Sequence, residues 1–280
     1  MRIDLHTHST ASDGTQDPAQ VMHAAAQAGL AVVALTDHDT TSGWDAARRV
    51  VAQTGVALVP GTELSTQLGG ISVHLLSYLH DPDDPALRDI FSRSQDSRAD
   101  RAARMVDRIA RDYPLTWAEV SEGVEAGATI GRPHIADALV ARGYVRDRDE
   151  AFRRILHPQG GYYRTHWAPT TAAAITAVRD AGGVPVLAHP WAMSRGAIIG
   201  REQLVALADA GLAGVEAEHP DHDEAQRQQL RDLAGDLGLF VTGSSDYHGA
   251  GKVNRLGQCL TGPAVLQQIA EAGRLPVIGL

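Results

Sequence analysis

Asp4-Leu5-His6-Thr7-His8-Ser9 decides how the rest of the chain is read. Ile3 and Leu5 alternate with Asp4 and His6, so residues 2 to 6 read as a short buried strand. Residues two apart in an extended chain point the same way, which sends His6 and His8 to one side at the strand's carboxyl end. Two imidazoles side by side can share one metal ion. A lone His-x-His is more often an ordinary hydrogen-bonded pair, but this one has company. Asp13, Thr36-Asp37-His38-Asp39, Glu63, His74, His189-Pro190 and Ser245-Asp246-Tyr247-His248 follow, most of them where a predicted strand ends.

Helices and strands alternate around these blocks. Asp17-Pro18 reads as an N-cap followed by Pro at N1, opening a helix over 18–28 that Gly29 ends. Ala31 to Leu35 is a continuous apolar run, as in a strand buried on both faces, and it ends in the Thr36–Asp39 block. A helix over 42–53 follows, then a strand over 56–60 that delivers Gly61-Thr62-Glu63 and an alternating strand over 71–79 that carries His74. Residues 82–168 show helical patterns only, over 85–111, 116–126, 132–142 and 147–156, and read as a helical insertion. Helices over 170–181, 201–210, 222–237 and 263–272 then alternate with strands over 184–188, 213–217 and 239–242. About seven strand–helix units imply an α/β fold. The expected form is a distorted α/β barrel built from residues 1–81 and 169–280, with the insertion over its mouth. Barrel enzymes place chemistry at the carboxyl ends of strands, where His8, His38, Glu63, His189, Glu216 or Glu218, and Asp246 fall.

Composition narrows the chemistry. Cys259 is the only cysteine in 280 residues, so a metal would rest on nitrogen and oxygen ligands, with no disulfide or thiolate cluster. The formal charge of −9 argues against gripping long duplex nucleic acid, which calls for a broad basic face. A small polyanion held locally by arginines stays open. No apolar run approaches the roughly 20 residues of a membrane span, and the first residues enter a strand instead of a leader. A cytoplasmic protein is expected, with no membrane and no protein partner implied.

Taken together, Asp4 to Ser9 with Ser12-Asp13-Gly14, then Leu35-Thr36-Asp37-His38-Asp39, Pro60-Gly61-Thr62-Glu63, Val73-His74, Leu187-Ala188-His189-Pro190 and Gly243 to Gly249 resemble the PHP (polymerase and histidinol phosphatase) family. Gly131-Arg132-Pro133-His134, the segment from Ala151-Phe152 to Tyr163, and Gly182-Gly183-Val184 are similar to its stand-alone phosphoesterases. Those act on nucleoside 3′,5′-bisphosphates and short 5′-phosphorylated oligoribonucleotides. The resemblance implies a (β/α)7 barrel with two or three divalent ions, Mn²⁺ expected, Fe²⁺ or Zn²⁺ the alternatives. It assigns His6, His8, Glu63 and Asp246 to a first ion, Glu63, His74 and His189 to a second, and Asp13, His38 and His248 to a third.

Such a set suits phosphate ester hydrolysis, because two ions roughly 3.5 to 4 Å apart activate water and clamp phosphoryl oxygens. Asp37 and Asp39 flank His38; orienting an imidazole is one role for them, and solvation at the surface is the other for Asp39. Arg132 precedes Pro133, a good first helical residue, so its guanidinium and the helix amides can converge on one phosphate, joined by His134. Tyr163 and Trp191 are candidates to stack a base, Arg164 is a second phosphate candidate, and His219 is a candidate proton donor to the leaving ribose oxygen. His23, His80, His157, His166 and His222 fit no motif and read as structural or exposed.

The expected function is removal of the 3′-phosphate from nucleoside 3′,5′-bisphosphates, pAp to AMP, with trimming of short 5′-phosphorylated RNA. Alternatives are a phosphatase for histidinol phosphate or another small monoester, an amidohydrolase acting on C–N bonds, and a non-catalytic PHP module. The last is opposed by the full set of ligand types present.

Overall fold

The computed structural model describes all residues except 123, 125–127, 158 and 194–197. Its strands are β1 (Ile3–Asp4), β2 (Val32–Leu35), β3 (Ala57–Leu68), β4 (Ile71–Tyr78), β5 (Val184–Leu187), β6 (Gly214–Glu218) and β7 (Phe240–Gly243). They form one sheet in chain order. A parallel bridge between Thr7 and Tyr247 joins the two edges, with His8 N–H donating to Tyr247 O at 2.8 Å. The sheet thereby curls into a seven-stranded, nearly closed barrel.

Period-2 burial sorts the side chains. Ile3, Leu5, Val32, Ala34, Val59, Leu76, Tyr78 and Val186 share one cluster that draws on five strands. Val33, Leu35 and Leu58 face the other way, onto Val21, Met22 and Ala25 of α1 (Pro18–Gln27). Leu75, Leu187 and Val215 pack on Ile175 and Val178 of α8 (Thr171–Asp180). Asp17 caps α1 as expected, accepting from Gln20 N–H at 2.9 Å.

Two sequence expectations change. The strand over 56–60 continues through Leu68, and β3 and β4 form an antiparallel hairpin. Gly69 and Gly70, both at positive φ (57° and 84°), make its two-residue turn. β4 also runs antiparallel to β5, so the barrel is distorted at this point and Glu63 sits within a strand, not after one. The helix over 42–53 is broken at Val50 into α2 (Trp44–Arg49) and α3 (Val51–Thr54).

Between β4 and α8 lie α4 (Pro85–Ile109), α5 (Trp117–Ser121), α6 (Arg132–Ala141) and α7 (Arg148–Arg154). The helix expected over 116–126 ends at Ser121, and part of its span lies outside the described residues. These helices have a core of their own, including Met105, Ile109, Ile135, Leu139 and Ile155. They reach the barrel through Gln95 to Asp39 O (3.0 Å), Thr129 Oγ1 to His38 O (2.8 Å) and Arg148 to Asp13 O (3.1 Å). The remaining α-helices among the described residues are α9 (Arg201–Asp209), α10 (Glu224–Asp236) and α11 (Pro263–Ala272). Among the described residues no helix is long and apolar enough to cross a membrane.

His80, just beyond β4, is structural. Its Nδ1 pairs with Ser77 Oγ at 2.7 Å, while its ring lies 5.0 Å from Trp44 and 5.9 Å from Phe91. Burial pushes its pKa down to about 4. The unfolded chain therefore takes up a proton near pH 6.5 that the folded protein refuses until about pH 4. This contribution to stability is intact above that window and is lost as pH falls through it. His80→Phe should remove the effect, losing roughly 3 kcal/mol less than wild type between pH 7 and 4. Denaturant unfolding at stepped pH checks this; parallel curves for the two proteins would refute it.

Candidate metal centre

The end of β1 delivers two imidazoles to one point. His6 Nε2 and His8 Nε2 are 3.0 Å apart, at 3.2 and 3.1 Å from Glu63 Oε2. The same nitrogens lie 3.6 and 3.4 Å from Asp246 Oδ1. The other Glu63 oxygen, Oε1, meets His74 Nδ1 at 2.7 Å and His189 Nε2 at 3.0 Å. A third group surrounds Asp13, with His248 Nε2 at 3.2 Å, His8 Nδ1 at 3.5 Å and His38 Nε2 at 3.9 Å. His38 Nδ1 closes back on Glu63 Oε2 at 3.3 Å. The residues expected as ligands thus meet in one buried cluster, only His74 being partly exposed.

Five overlapping sets among the described residues offer one ligand atom each at mutual distances suited to an ion: His6, His8 and Glu63; His8, Asp13 and His38; His8, Asp246 and His248; His38, Glu63 and His74; and His6, His189 and Glu216. The donor chemistry fits divalent cations. His6 Nδ1 faces the carboxylate of Glu216 at 3.1 Å, and a carboxylate only accepts, so Nδ1 carries a proton and, in the neutral ring, Nε2 presents its lone pair. That lone pair points at a second ring nitrogen and a carboxylate, an arrangement that calls for a cation between them. The field says the same. Burial disfavours charge on His6 and His8, yet Glu63 and Asp246 outweigh it and hold His6 well above its ordinary pKa and His8 at about 9. Burial opposes ionisation of Glu63 and Asp13, but the surrounding imidazoles pull both well below the usual carboxylate range.

The loops carrying these groups are tied down from behind. Asp4 accepts from Ser245 N–H at 2.9 Å and Gly257 N–H at 2.8 Å. Asp37 touches no imidazole directly; it accepts from Ser9 N–H (2.8 Å) and Ser12 Oγ (2.6 Å), and Ser12 lies 3.4 Å from His8 Nδ1. The surface role for Asp39 is corrected: it is fully buried, accepts from Ser65 N–H at 2.9 Å and pairs with Arg98 at 3.0 Å. His219 Nδ1 accepts from Asp221 N–H at 3.0 Å, which leaves the proton on Nε2. That nitrogen is buried, lacks a hydrogen-bond partner and stands 3.6 Å from Asp246 Oδ2.

Beside this cluster lies a group of arginines. Arg98 and Arg101 project from α4 and are 7% and 3% exposed, so they are core residues, not a solvated face. The two guanidinium groups flank Gly131, next to Arg132. Arg101 Nη1 is 3.0 Å from His166 Nδ1, so His166 keeps its proton on Nε2, and that atom and Arg101 Nε have no hydrogen-bond partner. His166 is pushed well below its ordinary pKa by burial and by Arg101, Arg98, His74 and Arg132, in that order, which puts the arginines and a candidate ligand around one ring. Arg132 lies over Phe152 and Tyr163 at 5.2 and 5.4 Å, with Nη1 3.4 Å from Leu156 O. His134 Nδ1 accepts from Gly131 N–H at 3.1 Å, leaving Nε2 as a donor. Arg164 instead donates to Tyr163 O at 2.8 Å. Trp191 packs against the outer core and donates Nε1–H to Ile199 O at 3.0 Å, so it ties Ile199 to the turn after His189.

A sequence model of the PHP domain matches residues 4–156, more than half of the chain. The chain belongs to the PHP domain family. Its PHP relatives differ in what they act on. A 3′,5′-nucleoside bisphosphate phosphatase of Chromobacterium violaceum is 31% identical over 90% of this chain and 89% of its own. The 5′-3′ exoribonuclease Rnm of Salmonella typhimurium is 30% identical, covering 98% and 94%. A phosphoribosyl 1,2-cyclic phosphate 1,2-diphosphodiesterase of Eggerthella lenta is 34% identical, covering 91% and 97%. A solved structure from Bifidobacterium adolescentis, designated a metal-dependent phosphoesterase, superposes with a TM-score of 0.94 at 39% identity, covering 97% and 96%.

Sequence reasoning about this PHP chain missed Arg98, Arg101 and His166, because arginines on an amphipathic helix read as solvated charge. It also missed Lys252, the only lysine, whose Nζ reaches Asp246 Oδ2 at 2.7 Å. Since His6 and His8 hold protons where a metal would bind, metal uptake should release protons and tighten as pH rises toward about 9. Calorimetric Mn²⁺ titration of chelator-treated protein in two buffers of different ionisation enthalpy checks this; buffer-independent heats would contradict it.

Proposed function

We propose that this protein is a metal-dependent phosphoesterase that removes the 3′-phosphate of nucleoside 3′,5′-bisphosphates, converting pAp to AMP and phosphate, and that it trims short 5′-phosphorylated RNA from its 5′ end. The observation that carries the reading is the buried arginine group next to the His/Asp/Glu cluster. It provides a second place for an anion, distinct from the reacting one. Arg98 has Asp39 as its counter-charge. Arg101 has neutral partners, the His166 imidazole and the Tyr163 hydroxyl, and carries an unpartnered donor at Nε. Buried donors without acceptors are uncommon and costly, and a phosphate dianion would satisfy several at once.

In this reading residues 82–168 form the part that holds the substrate over the barrel mouth. Arg101, Arg132 and His134 grip the 5′-phosphate, and Tyr163 supports Arg132 from beneath. The 3′ ester then lies against Glu63, His6, His8 and Asp246. Divalent ions held there, Mn²⁺ fitting the mixed nitrogen and oxygen donors best, would supply an activated water and neutralise phosphoryl charge. His219 offers its Nε2–H to the departing 3′-oxygen. A cytoplasmic location and a nucleotide or short oligoribonucleotide partner belong to the same reading.

Histidinol phosphate carries no second phosphate and leaves the arginines unused. Hydrolysis of pAp and histidinol phosphate, read as released phosphate, of a cyclic sugar phosphate diester, read as ring-opened monoester, and of a 5′-phosphorylated dinucleotide, read as released mononucleotide, each with Mn²⁺, should favour pAp and the dinucleotide. Equal turnover of all four would overturn the specificity. Arg101→Ala and Arg132→Ala should each lower kcat/KM for pAp on the order of 100-fold, with little change for a simple aryl phosphate. A uniform loss on both substrates would make these arginines structural.

A further inference from the structure

We infer that Glu216 is a positioning residue that sets which nitrogen His6 presents to an ion and fixes His189 for the same purpose; this rests on reading the His/Asp/Glu cluster as a metal centre. Glu216 lies in β6, is fully buried, and is absent from the ligands expected from sequence. Its Oε1 is 3.1 Å from His6 Nδ1 and also accepts from Ser244 Oγ, while Oε2 accepts from His189 N–H at 2.9 Å. Three donors therefore converge on one carboxylate behind the cluster. On the far side of the two rings, His6 Nε2 approaches Glu63 Oε2 and His189 Nε2 approaches Glu63 Oε1, at 3.2 and 3.0 Å. Glu216 thus holds the ring of His6 and the backbone of His189, the two histidines whose rings address opposite oxygens of Glu63.

Two consequences follow from its chemistry. A carboxylate cannot donate, so a neutral His6 must carry its one proton on Nδ1 and keep Nε2 bare; with no acceptor there, a neutral His6 is free to place that proton on Nε2, toward an ion. His189 has φ of +28°, a backbone conformation that a non-glycine residue holds only when its surroundings enforce it. The Glu216 Oε2 contact to His189 N–H is one such restraint.

Glu216→Gln keeps the shape but turns an amide N–H₂ toward His189 N–H or toward His6 and Ser244. Mn²⁺ affinity, read from the free-ion EPR signal, should weaken at least about tenfold against wild type. The two metal-free proteins should melt alike in chelator, which separates positioning from general destabilisation. Wild-type affinity in Glu216→Gln, or a loss matched by a lower metal-free melting temperature, would overturn the role. A second measurement needs no variant at Glu216. In ¹⁵N-histidine spectra of the Zn²⁺-loaded wild type, with His6→Gln used to assign the signal, His6 should be protonated at Nδ1. A proton at Nε2 would overturn the inference. Wild type that retains no ion would instead defeat the metal-centre reading itself, and this outcome differs from tight binding by both proteins.

Discussion

The carboxylate of Glu63 is the contact on which the rest of this structure depends. It is 1% exposed, and each of its oxygens faces imidazoles from different parts of the chain: His6, His8 and His38 on one, His74 and His189 on the other. A buried negative charge is tolerable only beside positive charge or hydrogen-bond donors. Closing the barrel supplies them, because β1, β2, β4, β5 and β7 each bring or lead into a group that faces Glu63 or Asp246. The backbone is bent to the same end: among the described residues, three of the four non-glycine residues at positive φ are Asp39, His189 and Asp246, beside or within the cluster.

The helical segment is fastened to the cluster by buried polar contacts. Arg98 joins Asp39 and Ser65, and Asp39 N–H donates to Glu63 O at 3.1 Å, so a helix outside the barrel is linked through one residue to the central carboxylate. Thr129 holds the His38 carbonyl from the other side. The proposed phosphate site and the proposed ion ligands therefore share supports. Misplacing α4 would disturb both, which gives a physical reason for burying arginines where apolar residues would pack at lower cost.

Several local features were legible because they are written locally. The Asp17 cap, the apolar run of β2 and the His-x-His at the end of β1 each depend on neighbours within a few residues. The β3–β4 hairpin had its signal in Gly69-Gly70, a dipeptide suited to two-residue turns, but the 71–79 alternation was read as a strand of the regular barrel rhythm. The break at Val50 had no such mark. His222, unassigned from sequence, is buried, donates from Nδ1 to Ala217 O at 2.9 Å and accepts Trp191 N–H at 3.2 Å, a role visible only when β6 and the turn after His189 are seen side by side.

By itself the sequence determined the inventory and its order: which side chains can bind a cation, that most sit near predicted strand ends, and that a barrel gathers such ends at one mouth. Only the tertiary structure decided how they pair. Glu63 meets His189 across 126 residues of chain, and Glu216 meets His6 across 210. Arg98 and Arg101, at helical spacing, carry the same local signature as solvent-facing charges. Docking α4 against Asp39, Ser65 and His166 is what removes them from water, and burial, not residue type, turns a surface arginine into part of a site.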